Sequence, residues 1–204
     1  MRCHKPINPA FFLPALILFS TTAWSQSAPS AASESPMQAI KKTVDQVVET
    51  AGSLAGEANT TERRRKLRAI IEPRFDFDEM SKRSLGAYWQ KITAEQQKEF
   101  MTLFSDLLAQ TYLGRIESVK PGMVKVESEN VDFPRAVVKT TVTNKGDTFP
   151  IDYKLLNMSG EWKVYDVVIE NIGLVANYRN EFAGIIRKEE FSGLMKRLRE
   201  KGGT

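Results

Sequence analysis

From Met37 the apolar residues Ile40, Val44, Val47 and Val48 fall on one stripe, with Lys41, Lys42, Asp45 and Glu49 around it. That near-four spacing predicts an amphipathic helix, weakened at its end by Gly52 and Gly56. Thr60 or Thr61 can cap a second helix that turns Leu67, Ile70 and Ile71 inward and stops before Pro73. A short third helix is predicted over residues 77–85, ending near Gly86. Thr93-Ala94-Glu95-Gln96 then reads as a capping box, in which the Thr hydroxyl and the Gln side chain satisfy free amides of the first turn. Beyond it Phe100, Leu103, Phe104, Leu107, Leu108 and Tyr112 make a broad apolar face. This helix should run to about Arg115 and form the central packing element of the helical half.

The period then changes to two. Val124, Val126 and Ser128 alternate with charged residues, and residues 136–143 are rich in Val and Thr. Asn144-Lys145-Gly146-Asp147 supplies a turn, Phe149, Ile151, Tyr153 and Leu155 alternate with polar neighbours or Pro150, and Ser159-Gly160 makes a second turn. Residues 161–170 form the last strand. Four strands on short turns predict an antiparallel meander. In the last strand, strict alternation points Tyr165, Val167 and Ile169 one way and Trp162, Val164 and Val168 the other, so cover is expected on both faces. Helical segments over 174–186 and 189–200 close an α+β order.

The N-terminus decides which residues reach the working protein. Arg2 and Lys5 precede an apolar run over residues 10–19, and Ala23-Trp24-Ser25 offers small residues at a cleavage site. That is the order of a secretory signal peptide, and the run is shorter than the roughly 20 residues a membrane span needs. The expected organisation is a signal peptide over 1–25, a disordered Ser/Ala/Pro leader over 26–36 and a single domain over 37–204, exported to the periplasm. Cys3 and His4, the only cysteine and histidine, leave with the signal. No thiol nucleophile, imidazole base or Cys/His metal site is then expected, and no cofactor. Loss of Arg2 and Lys5 lowers the formal charge from +4 to +2, a poor balance for binding nucleic acid.

Catalytic motifs are missing from the sequence: there is no phosphate-cradling glycine loop, nucleophile elbow or metal-ligand spacing. The carboxylates that could pair are Asp76 with Asp78 and Asp166 with Glu170. Helix capping or a meeting with a cation is the simpler role for each, and the chain is not expected to be an enzyme. Arg63, Arg64, Arg65, Lys66 and Arg68 form a basic run. It is either a solvated helix face or a docking patch for an acidic partner or anionic headgroups.

Residues 162–170 (WKVYDVVIE), followed by Leu174-Val175-Ala176-Asn177-Tyr178-Arg179 and Phe182, closely resemble the signature of the MlaC-like family, the toluene-tolerance, ABC-transporter auxiliary proteins of Gram-negative bacteria. Arg83-Ser84-Leu85-Gly86 with Trp89, and Phe104 with Leu107-Leu108 and Thr111-Tyr112, are similar to its earlier blocks; Asn171 and Gly173 depart from the Gly and Ser expected at those positions of one turn. The resemblance implies a periplasmic phospholipid carrier: a twisted antiparallel sheet embraced by helices, with an apolar cavity between them for acyl chains. It implies traffic between an inner-membrane ABC transporter containing an MCE-domain protein and an outer-membrane lipoprotein/porin complex, maintaining outer-membrane lipid asymmetry. A hopanoid ligand, or a non-enzymatic adaptor role, stands as the alternative. Periodicity and motif position assign the cavity wall to Phe104, Leu108, Tyr112, Tyr153, Tyr165, Val167, Ile169, Leu174, Val175 and Tyr178.

Overall fold

The computed structural model describes Met1, residues 34–56, Ala58 and residues 60–202. The chain divides into Met1–Ala32 and Ser33–Thr204, and every element below belongs to the second unit. The expected signal peptide, and most of the expected leader, lie outside the described residues.

Helix α1 spans Pro36–Ser53 and starts inside the stretch expected to be leader. The reason is a capping box that the Ser/Ala/Pro composition hides: the Ser35 hydroxyl accepts from the Gln38 amide at 3.2 Å, and the Gln38 side chain accepts from the Ser35 amide at 2.9 Å. Pro36 occupies the first helical position, where its missing N–H costs nothing. Helix α2 covers Thr60–Ile71 and α3 covers Phe77–Leu85, where the Asp76 carboxylate accepts from the Glu79 amide at 2.9 Å. Helix α4 spans Ala94–Ile116 behind the expected Thr93–Gln96 capping box.

Strands β1 (Val124–Asp132), β2 (Arg135–Asn144), β3 (Asp147–Met158) and β4 (Glu161–Ile169) follow as an antiparallel meander. Lys145-Gly146 and Ser159-Gly160 take positive φ at both central positions, 52° and 96° in the first and 51° and 92° in the second. Such turns match the right-handed strand twist, which sets the registers of both hairpins. The sheet has five strands, not the four expected: Ile172–Gly173 (β5) returns along β4, pairing Ile169 with Ile172.

Register corrects the expected facing of β4. Leu155 pairs with Val164, yet Lys154 pairs with Asp166, so Tyr165 is an extra residue in β4, a bulge. Beyond a bulge the parity inverts. Trp162, Val164, Val167 and Ile169 therefore share one face, in line with Leu155, Tyr153 and Ile151 of β3 and with Ala136, Val138 and Thr140 of β2. The opposite face carries Lys139, Asp152, Lys154, Lys163 and Asp166. One face of the sheet is covered by helices; the other is mixed, with Val137, Leu156 and Val168 among its polar residues.

The main core lies between that inner face and the helices. Phe100, Phe104, Phe182, Leu155, Val138 and Val164 are all wholly buried there. A smaller cluster of Val47, Leu67 and Leu113 joins α1, α2 and α4. Helix α5 (Leu174–Gly202) closes the chain and is broken at Glu190, which sits at φ 59° and ψ −177°. The break lies close to the expected gap between two closing helices. After it the chain doubles back: Glu189 pairs with Arg197, Glu181 lies 4.0 Å from Lys201, and Arg199 reaches Glu99 of α4 at 2.7 Å. Leu194, Met195 and Leu198 bury the inner side of this returning arm.

Candidate functional site

Burial along the inner face is uneven, and Thr140, between Val126 and Ile151, is only 1% exposed. At one end Trp162, Val164, Leu155, Ala136 and Val138 are closed off from solvent. At the other, Val126, Ile151, Tyr153 and Ile169 remain partly exposed, although all of them pack against the main core. Tyr112, near the C-terminal end of α4, is partly exposed as well. These partly exposed side chains make up the less covered part of the sheet–helix interface. Nothing in it supplies a nucleophile or a metal cage; among the described residues no three His, Cys, Asp or Glu side chains gather as a metal site.

The expected wall residues divide into three groups. Phe104, Leu108, Val167, Leu174, Val175 and Tyr178 are buried in the main core. Phe104 is the hub: its ring lies 5.2 Å from Tyr178, 5.4 Å from Phe182 and 5.7 Å from Phe100, the edge-on and offset geometries that aromatic quadrupoles favour. Tyr112, Tyr153 and Ile169 are partly exposed and pack against that core. Tyr165, displaced by its own bulge, is outside this cluster and instead lies under the Arg83 guanidinium, 4.4 Å from the ring centre. Sequence reasoning left out Val126 and Ile151, although the alternation through Phe149, Ile151 and Tyr153 carried the signal for the second.

The phenols feel the apolar surroundings. Burial pushes Tyr178 up to about 12, and its hydroxyl shares hydrogen bonds with Thr111 and Tyr112. Burial also raises Tyr112. Tyr153 is pushed up to about 12 by burial alone. In each case the neutral phenol is the form that low dielectric favours.

The candidate carboxylates have structural partners. Asp166 is 6% exposed, accepts from the Val175 amide at 3.0 Å and receives Lys154 at 3.0 Å. It thereby ties the start of α5 to β4. Asp76 caps α3, and Glu170 lies in the β4–β5 turn with its amide donated to Pro150.

The basic run is engaged from its own surface. Arg63, its side chain only 12% exposed, donates to the carbonyls of Leu54 and Gly56 at 2.7 and 3.0 Å and lies 3.5 Å from Glu117. Arg64 also meets Glu117, Arg65 and Lys66 meet Glu62, and Arg68 bridges Glu72 and Asp106. Two open grooves flank the returning arm of α5. One, of about 380 Å³, is lined by Gln96, Phe191 and Met195 among others; the second, of about 420 Å³, has a floor of Leu107, Phe182, Ile185, Leu194 and Leu198.

A helix-covered antiparallel meander with an apolar inner face, and with its candidate carboxylates used as struts, defines the class: an α+β protein built around a nonpolar interface. The sequence profile described as MlaC protein matches residues 41–200, and the chain belongs to that family. It is 33% identical to the toluene tolerance protein ttg2D of Pseudomonas putida over 125 residues, spanning 60% of this chain and 58% of that protein. Over 195 residues it is 22% identical to the intermembrane phospholipid transport system binding protein MlaC of Haemophilus influenzae, covering 91% of this chain and 90% of that one. The solved phospholipid-binding protein from Ralstonia solanacearum, in complex with a phospholipid, superposes with a TM-score of 0.73 at 29% identity, covering 82% of this chain and 96% of that structure.

Proposed function

We propose that this protein is a periplasmic phospholipid carrier, exported by its N-terminal signal peptide, that takes acyl chains between the inner face of its sheet and helices α4 and α5. The observation that carries the reading is the apolar inner face of the sheet, on which Val126, Ile151, Tyr153 and Ile169 pack against the main core yet stay partly exposed, as Tyr112 of α4 does. The Ralstonia relative, solved with a phospholipid, supports the ligand class over a hopanoid. The name of the Haemophilus relative supports transport between membranes. The working partners on this reading are an inner-membrane ABC transporter with an MCE-domain protein and an outer-membrane lipoprotein/porin complex, and the outcome is outer-membrane lipid asymmetry.

Physical chemistry constrains how such a carrier works. Two acyl chains hold about 30 methylenes, and exposing them to water costs roughly 24 kcal/mol at about 0.8 kcal/mol each. Lipid must pass directly from one apolar environment to another, so the walls need only match a bilayer and no catalytic group is required. Because Phe104, Leu108, Val175 and Tyr178 are closely packed, lipid entry moves the α4–α5 layer off the sheet. Native mass spectrometry of the exported protein, followed by organic extraction, tests the proposal. A stoichiometric adduct that extracts as phospholipid is expected; a bare polypeptide mass that persists after incubation with phospholipid vesicles overturns it.

A further inference from the structure

The returning arm of α5, residues 191–202, is fastened to two elements at once. On α4, Glu99 receives Arg199 at 2.7 Å, the Phe100 ring lies 6.5 Å from Phe191, and Leu103 stands where a side chain at Gly202 would touch it. On the first half of α5, Glu189 pairs with Arg197 and Glu181 lies 4.0 Å from Lys201. The arm therefore bridges α4 and α5 from outside. Beneath it the same two helices interlock through their rings, Phe100 with Phe182 and Phe104 with both Tyr178 and Phe182. Those rings are buried and closely packed, so room for acyl chains opens as α4 and α5 draw apart. An arm tied to both helices resists that movement unless it lets go.

Three features make the arm releasable. Its joint is strained: Glu190, at φ 59° and ψ −177°, holds a backbone conformation that is almost confined to glycine, and departure of the arm relieves it. Its polar ties are weak, because the side chains of Arg197, Arg199 and Lys201 are each more than half exposed and their ion pairs are screened by water. Its apolar cover is incomplete. Leu194, Met195 and Leu198 are buried, yet open grooves of about 380 and 420 Å³ run beside the arm, the second floored by Leu107, Phe182 and Ile185. Strain is thus confined to the one residue about which the arm would turn. Resting on the carrier reading above, we infer that residues 191–202 are a strap hinged at Glu190, which clasps α4 to α5 in the closed form described here and swings away when acyl chains enter.

Residues 26–204 contain no cysteine, so a pair introduced as Glu99→Cys and Arg199→Cys can be joined selectively by a bismaleimide whose spacer carries a disulfide. Uptake from vesicles of dioleoyl phosphatidylglycerol is followed against time by native mass spectrometry of the full mature protein. The linked protein is expected to load at least about tenfold more slowly than the same protein before linking, because the opening step that sets the rate is held shut. Cutting the spacer with dithiothreitol should return the rate. Arg199→Glu, which sets two like charges against each other, is expected to load several-fold faster than wild type, and adding Glu99→Arg should bring the rate back. Linked protein that loads as fast as the unlinked overturns the inference and leaves the carrier reading standing. If the cysteine pair fails to fold, the charge reversals decide, and an Arg199→Glu rate equal to that of wild type overturns it. Wild type that takes up no lipid overturns both.

Discussion

The contact of Asp166 with the start of α5 makes the sharpest test of how the sheet and the site are joined. Its Oδ1 accepts the Val175 amide at 3.0 Å and its Oδ2 receives Lys154 at 3.0 Å, with the Asp166 side chain 9% exposed and that of Lys154 38% exposed. In Asp166→Ala the amide at the helix start loses its acceptor, which costs about 1–2 kcal/mol. The ion pair adds under about 1 kcal/mol, because Lys154 is open to water and screened. The total of about 2 kcal/mol converts to a fall in Tm of roughly 4–8 °C for a domain of this size. Asp166→Asn keeps an oxygen for the Val175 amide and gives up only the charge, so it should lose about half as much. Thermal unfolding followed by circular dichroism, run on wild type and both variants, reads the difference. A melting point for Asp166→Ala within about 1 °C of wild type, or an Asn variant as damaged as the Ala one, would refute the assignment of Asp166 as the strut that sets α5.

Glu190 occupies a backbone region that favours glycine, at φ 59° and ψ −177°, so Glu190→Gly should raise stability by about 1 kcal/mol in chemical denaturation. Gly193→Ala should lower it, because a Cβ there collides with the Glu189 side chain. In the basic run, Arg63→Ala should cost about 1–2 kcal/mol through the lost bonds to the Leu54 and Gly56 carbonyls, whereas Arg65→Ala, 67% exposed in its pair with Glu62, should leave the melting curve unmoved. Tyr153 and Tyr178 are raised to about 12 in the folded chain, against about 10 when unfolded. The stability this contributes is present below pH 10 and is lost as pH rises from about 10 to 12. Phenolate absorbance at 295 nm should show two tyrosines titrating late, together with unfolding, and early titration of all five would contradict it.

Local chemistry was legible in the sequence where the signal and its partner lie within one turn. The Thr93–Gln96 capping box, the turns at Lys145-Gly146 and Ser159-Gly160 and the apolar face of α4 all read correctly, because each is specified by residues a few positions apart. The start of α1 was obscured because Ser35, Pro36 and Gln38 are the same residue types that make a leader. The facing of β4 was misjudged because period-two counting has no symbol for an inserted residue; one bulge at Tyr165 returned Val167 and Ile169 to the face of Val164 and left Tyr165 under Arg83. The basic run was read as a solvated face or a docking patch, and its ties to Glu117 and Asp106 were not legible because those residues are dozens of positions from Arg63, Arg64 and Arg68. The degree of exposure was not legible, since that of Tyr153 or Ile169 depends on how far the helices stand from the sheet.

Ile169 and Val168 are neighbours in the chain with side chains on opposite faces of β4, one packed against the core and the other outside it. A photo-crosslinking residue such as p-benzoylphenylalanine, placed at each position in turn and irradiated in the protein purified with its bound lipid, reports where the acyl chains lie. Lipid bound between the inner face and the helices gives a phospholipid adduct at position 169 and little or none at 168. Equal labelling at the two positions, or labelling at 168 alone, would contradict the placement of the lipid site.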